Sequence, residues 1–373
     1  MSAGSGFVST LALEKEGDNL PPLEILQNRW YNSLTTNLQL DRRLFQIRNP
    51  VNPMIQSTEE LWNLLDCVPP LSLTFRSPAK RLSDEYISLI SQFQYPESTL
   101  RETIGDINHE KWLQYLQRLY PPPPESRLPA LFRQWAILTA PSIMSAGVAK
   151  LSQTLILNRT LHSLKEYQDP HKKQIDFSPD LAQAKDIVEH SMGFSFAFDS
   201  VSSPGNVEDT WAGGVNEVPD VSRHFALGPV TVDISAKSYA VCTVVPGPWY
   251  SSALLNAGYA NQSGPPWPPN PNPTWQDRFG PNGTLRRGII GIVLADGVTA
   301  TVRSGAHFTE ADRRSIQDNA SKGLWPLYIP ASNVVTFDGD NSLTIETITQ
   351  PGIPVVLGNN VMEIGHYLGH AVP

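Results

Sequence analysis

Apolar positions in the first half of the chain recur at helical spacing. Leu23, Leu26, Trp30 and Leu34 follow Pro21-Pro22 at a 3.6-residue period, and proline at the head of a helix costs little because first-turn N–H groups lack intrahelical acceptors anyway. Trp112, Tyr115, Leu116, Leu119 and Tyr120 repeat the stripe until the run Pro121 to Pro124 stops it. The same reasoning predicts helices at Thr58–Cys67, Ser83–Phe93, Leu128–Thr139, Ile143–Tyr167 and Pro179–His190. Residues 1–190 therefore read as a bundle of short helices whose aromatic and leucine stripes face a core.

Near Met192 the period changes. Phe194, Phe196 and Phe198 alternate with Ser195, Ala197 and Asp199, a two-residue period that predicts a strand with one aromatic face. Further strands are expected at Val230–Ile234, Tyr239–Val245, Gly288–Leu294, Val298–Val302, Val334–Phe337, Leu343–Ile348, Val355–Leu357 and Val361–Tyr367. Asp296-Gly297 and Asp338-Gly339 stand between such runs and signal hairpin turns. Gly213-Gly214 reads as a plain turn. One helix interrupts the strands: Thr309 caps Glu310–Lys322 with Asp312 as its capping-box partner, and Gly323 ends it. The fold class expected is α+β, with a helical module over 1–190 and a mostly antiparallel, sandwich-like β module over 191–373.

Between residues 261 and 283 the pattern is neither helical nor extended-alternating. Prolines there remove backbone donors and force a polyproline-like path, so this stretch is expected to be an exposed, non-helical loop. It carries Trp267, Trp275 and Phe279, and Trp249-Tyr250 ends a strand just before it. Rigid aromatic area beside proline suits contact with a partner protein, a glycan or a lipid surface, and these five rings are the candidate contact surface. The competing outcome is that the loop folds back and the rings cap the sheet.

Composition narrows the function classes. The 28 Lys+Arg against 36 Asp+Glu give a formal charge of −8, and the excess acidity lies in the second half, where 9 basic face 15 acidic residues. Basic residues cluster only as pairs, Arg42-Arg43, Lys172-Lys173, Arg286-Arg287 and Arg313-Arg314, which is no footprint for nucleic acid. The two cysteines, Cys67 and Cys242, are expected to be reduced thiols. The apolar run Phe7–Leu13 lacks a basic stretch ahead of it, and no run of about 20 apolar residues exists to span a bilayer. A soluble, cytoplasmic protein is expected, with non-classical secretion left open.

Short catalytic and cofactor motifs are missing: no nucleophile elbow, no Gly-rich phosphate loop, and no cofactor is expected. Asp186 and His190 are one helical turn apart and offer an acid–base pair. His366 and His370 share that spacing, but Gly365 and Gly369 favour extended chain, which would set them about 13 Å apart. Asp338, Asp340 and Ser342 begin a calcium-loop pattern that fails at Leu343 and Thr349, so no metal is expected. Two readings remain. The first is a non-enzymatic interaction protein working through the aromatic, Pro-rich loop. The second is an enzyme with a cleft between the modules, using His190, His224 and His307 with Asp186 or Glu310.

Overall fold

The computed structural model describes residues 22–49, 52–76, 80–168, 173–201, 224–330, 333–338 and 342–371. The run Phe7–Leu13, Lys172, Gly213-Gly214, Gly339 and Asp340 lie outside them. The chain is α+β, as its periodicities predict. Helices α1 (Pro22–Asn37), α2 (Thr58–Leu65), α3 (Leu82–Gln92), α4 (Glu97–Ile104), α5 (Asp106–Gln117), α6 (Leu128–Thr139), α7 (Met144–Tyr167) and α8 (Leu181–Glu189) fill most of the first half. Threaded among them are the short strands β1 (Phe45–Arg48), β2 (Thr74–Phe75) and β3 (Phe177–Ser178), which helical spacing does not foresee. Beyond them come β4 (Phe194–Asp199), β5 (Val230–Thr243), β6 (Val245–Pro246), α9 (Ser252–Ala260), α10 (Trp275–Phe279), β7 (Arg287–Ser304), α11 (Glu310–Ala320), β8 (Asn333–Phe337), β9 (Leu343–Ile348), β10 (Val355–Glu363) and α12 (Ile364–Tyr367).

The main sheet has eight strands in the order β2-β1-β10-β7-β5-β4, with β9 and β8 branching from β7. Apart from the parallel β1–β2 pair, its neighbours are antiparallel. Asp296-Gly297 is not a hairpin turn. The two strands expected on either side of it form the single strand β7, because β5 pairs with β7 in one register on both sides of Gly297, from Val230↔Ser304 to Thr243↔Gly291. What changes at this point is the opposite edge of β7: residues up to Ala295 pair with β10, and residues from Thr299 pair with β9. Gly297 marks the changeover with φ +60°, a left-handed conformation that glycine adopts without steric penalty.

Val230–Ile234 and most of Tyr239–Val245 likewise fuse into β5, Val245 falling in β6, and the side chains of β5 alternate buried and exposed along its length. That alternation gives this part of the sheet one covered face and one solvent face. The covered face receives α1 and α8: Trp30 of α1 stacks on Phe198 at 5.8 Å and meets Trp325 edge-on at 6.4 Å. One core cluster runs from Leu26 to Ile364, so the helical and β halves share a single interior across residue 190. A satellite cluster of Ile104, Trp112, Phe132, Trp135 and Ala136 is enclosed by α4 to α7. No helix among the described residues is long and apolar enough to cross a membrane.

Candidate anion-binding cavity

Two segments distant in sequence meet beside β1 and β10. The first is Val68–Arg76 together with Lys80, the second runs from Pro281 to Arg287, and between them lies a cavity of about 550 Å³. Its apolar wall is Val68-Pro69-Pro70-Leu71 with Phe75; its cations are Arg76, Lys80, Arg286 and Arg287. None of the described residues lining it is Asp or Glu.

The first wall is fixed from beneath by buried polar side chains on β1. Gln46 donates through Nε2 to the carbonyls of Pro70 (2.8 Å) and Ser72 (2.6 Å). Arg48 lies under the Phe75 ring, 5.2 Å from its centroid, and donates to the Leu64 carbonyl. These contacts settle residues 68–75, which have few ladder bonds of their own, and they explain why an arginine is fully buried on a strand.

The second wall hangs on Arg278. This side chain is only 2% exposed, and it donates to Glu85, to Ser88 Oγ at 2.7 Å and to Thr284 Oγ1 at 3.3 Å. It thereby ties the turn Pro281–Thr284 to α3. The backbone closes on itself as well: Leu285 N–H donates to the Arg278 carbonyl at 2.7 Å, and Thr284 N–H to that of Asp277 at 3.1 Å. Gly283 is required by this approach, since a Cβ there would stand 2.4 Å from the Arg278 carbonyl oxygen.

Two carboxylates, Glu363 and Glu85, stand against the cations of the cavity. Arg286 donates to Glu363 Oε1 at 2.8 Å and to the Pro281 carbonyl at 2.6 Å, while Arg287 stands 3.8 Å from the same carboxylate oxygen. Lys80 is 3.5 Å from Glu85, a carboxylate already engaged by Arg278. Arg76 lies over the Tyr328 ring at 5.5 Å. Burial lowers the Arg287 pKa from its ordinary value, and neighbouring Arg286 lowers it further, against the pull of Glu363. Arginine stays charged through such shifts, so desolvation here makes a counterion favourable rather than discharging the group. Ser72 also lines the cavity; it is 4% exposed, and its buried hydroxyl has no hydrogen-bond partner among the described residues.

The five rings expected on the surface are elsewhere. Trp249 is fully buried, with its Nε1 donating to the Asp176 carbonyl at 2.8 Å. Trp267 is buried edge-on to Phe93 at 5.3 Å, and its Nε1 donates to the Gly258 carbonyl at 3.0 Å. Phe279 is buried too, while Tyr250 and Trp275 are half-buried against Tyr86 and Tyr259. The expected exposure is thus corrected: the loop folds back onto α9, whose last carbonyls satisfy the indole N–H groups while the rings gain apolar contact. It is also partly helical, because Thr274 and Asp277 form a capping box that starts α10. What the segment 261–283 gives to the cavity is its far end, Pro281–Gly283.

The candidate acid–base residues do not meet in a cavity. His190 is exposed at the end of α8, its Nδ1 2.8 Å from the Asp186 carbonyl and 3.5 Å from that residue's carboxylate, and these neighbours raise its pKa. His224 pairs with Asp312 at 3.4 Å, His307 is exposed, and Glu310 pairs with Arg314 at 3.4 Å. None of them lines the 550 Å³ cavity or two others of about 370 and 710 Å³. His366 is in α12 rather than in extended chain, and His370 Nε2 is 2.6 Å from Asn256 Oδ1. No cluster of potential metal ligands occurs among the described residues.

The cations of the cavity escape sequence reasoning because Arg286-Arg287 is only a pair, and its complement, Arg76 and Lys80, sits in the other half of the chain. The available signal is a basic pair within the more acidic half. Comparison with protein-family models, with curated proteins and with solved structures finds no match to this chain.

Proposed function

We propose that the protein is a non-enzymatic interaction protein that holds an anionic group of its ligand or partner in the cavity between residues 68–76 with Lys80 and residues 281–287. The observation that carries this reading is the set of four cationic side chains around one concavity with no carboxylate among the described residues of its lining, on a chain whose net charge is −8. A concave, partly desolvated cluster focuses positive potential far more than the same charges spread over a convex surface. Three of the four are arginines, whose planar forks pair with oxyanions in bidentate geometry. Burial of Trp249, Trp267 and Phe279 speaks against an aromatic platform for a glycan or lipid.

Isothermal titration of the full chain with sulfate at low ionic strength tests this. Saturable binding is expected, weakened at least tenfold by the pair Arg76→Gln and Lys80→Gln, with the far-UV circular dichroism unchanged. Absence of binding, or equal affinity in the variant, overturns the proposal.

A further inference from the structure

Four consecutive prolines at 121–124 join α5 to α6, where one proline would suffice to end a helix. Tyr120 stands directly before them. We infer that residues 120–124 are a docking strand for a partner domain that reads polyproline II in an aromatic-lined groove and takes the Tyr120 ring in a pocket at one end of that groove. The segment shares no residue with the anion cavity.

Exposure sets Tyr120 apart. It is 96% exposed, more than any other large hydrophobic side chain among the described residues, and no hydrogen bond or ring contact engages it among them. A tyrosine that serves the fold buries its ring and pairs its hydroxyl, as Tyr86 does in accepting from the Ser251 N–H at 2.7 Å. Tyr120 does neither.

The backbone beyond it is already extended. The Tyr120–Pro121 bond is cis, residues 122–124 belong to no helix or strand, and Pro124 has φ −64° and ψ 151°, close to polyproline II. That helix repeats every three residues, so Pro121 and Pro124 fall on one edge, Pro122 on the second and Pro123 on the third. Burial divides the same way: Pro121, Pro122 and Pro124 are exposed and Pro123 is half-buried. One edge leans on the protein, and the face between the other two is open. Both ends are pinned, since the Leu119 N–H donates to the Leu116 carbonyl at 3.1 Å and the Arg127 N–H to that of Pro124 at 2.9 Å. Trp112 and Phe132 meet at 5.0 Å and hold α5 and α6 together beneath. A strand extended and held in advance loses little conformational entropy on docking.

Its chemistry defines the partner. Prolines offer carbonyl acceptors and apolar rings but no N–H donor, so the strand cannot extend a sheet by a full ladder. A groove of aromatic side chains matches it, because rings pack on the pyrrolidine faces while tyrosine or tryptophan donors reach the carbonyls. The Tyr120 ring adds a large contact area for two side-chain torsions, the property that makes tyrosine an interface anchor. Arg118 and Arg127 are exposed at either end, with Glu125 between them, so an acidic rim on the partner complements the strand.

Isothermal titration of the full chain with an isolated EVH1 domain, whose groove is of this kind, is the test, with an SH3 domain for comparison. Saturable one-to-one binding to the EVH1 domain is expected, weakened at least tenfold by Tyr120→Ala and at least threefold by Pro122→Ala. Both side chains are exposed, so far-UV circular dichroism and the urea midpoint should not move. No binding, or equal affinity in Tyr120→Ala, overturns the inference. Binding to the SH3 domain alone, lost in Arg118→Gln and kept in Tyr120→Ala, overturns the tyrosine-led groove. Sedimentation velocity covers the remaining occupant: a dimer of the free chain that Tyr120→Ala dissolves would assign the strand to a second copy and overturn the inference as well.

Discussion

Truncating Trp267 to alanine measures whether the Pro-rich segment is part of the core. The indole is 2% exposed, edge-on to Phe93 at 5.3 Å and to Phe279 at 6.4 Å, and it donates to the Gly258 carbonyl at 3.0 Å. Collapse around the void is restricted, because α9 already touches Phe93 so closely that a Cβ on Gly258 would come 2.4 Å from its ring. Loss of the ring and the unrelieved cavity together should cost about 3–5 kcal/mol. Trp267→Phe keeps most of the ring contact and loses the hydrogen bond, for roughly 1–2 kcal/mol. Urea unfolding followed by circular dichroism reads the global change, and hydrogen exchange in α9 reads the same cost locally. A loss below about 1 kcal/mol for Trp267→Ala, with α9 exchange unchanged, would refute the folded-back loop.

Other expectations follow from single residues. Gly297→Ala forces φ +60° on a residue with a Cβ, 3.0 Å from the Cβ of Lys237, and should destabilise by about 1–2 kcal/mol; unchanged urea stability would contradict the strained changeover in β7. Glu363→Gln removes the negative charge shared by Arg286 and Arg287, so sulfate or phosphate affinity should rise threefold or more by titration, and a fall would contradict the competition between carboxylate and ligand. Burial pushes the Cys242 thiol from 9.0 up to about 11. The folded state then keeps a proton that the unfolded chain releases, so its contribution is intact below pH 9 and is lost as pH rises towards 11. The loss runs at most about 1.4 kcal/mol per pH unit. Burial raises Cys67 in the same direction. Urea titrations at pH 8, 9 and 10 should show this decline, and Cys242→Ala should flatten its slope; identical slopes would contradict the buried, protonated thiol.

Sequence periodicity located what depends on local pattern. Leu128–Thr139 is a helix at the predicted bounds, and the Thr309–Asp312 capping box starts α11 as expected, because apolar spacing and capping chemistry are properties of neighbours in the chain. Asp296-Gly297 was misleading for the opposite reason. The dipeptide permits a turn, but whether the chain turns there depends on what pairs alongside, and β5 runs unbroken past it. Strands β1 and β2 are too short for a period to show, and Arg48 in β1 looks like a surface residue until the Phe75 ring and the Leu64 carbonyl enclose it. The aromatic loop was legible as Pro-rich but not as buried, since the carbonyls that satisfy Trp267 and Trp275 belong to α9 and are revealed only by the tertiary fold. The cavity is the extreme case: Arg76 and Arg287 become neighbours only once β1 has paired with β10 and β10 with β7.

Locating a bound oxyanion directly decides whether that convergence of arginines is a binding site. Crystals of the full chain soaked in selenate, an anomalous scatterer with the geometry of sulfate, would show it in an anomalous difference map. The strongest peak is predicted among Arg76, Arg286 and Arg287. Selenate found on exposed arginines such as Arg303 or Arg314, with no peak between residues 68–76 and 281–287, would contradict it.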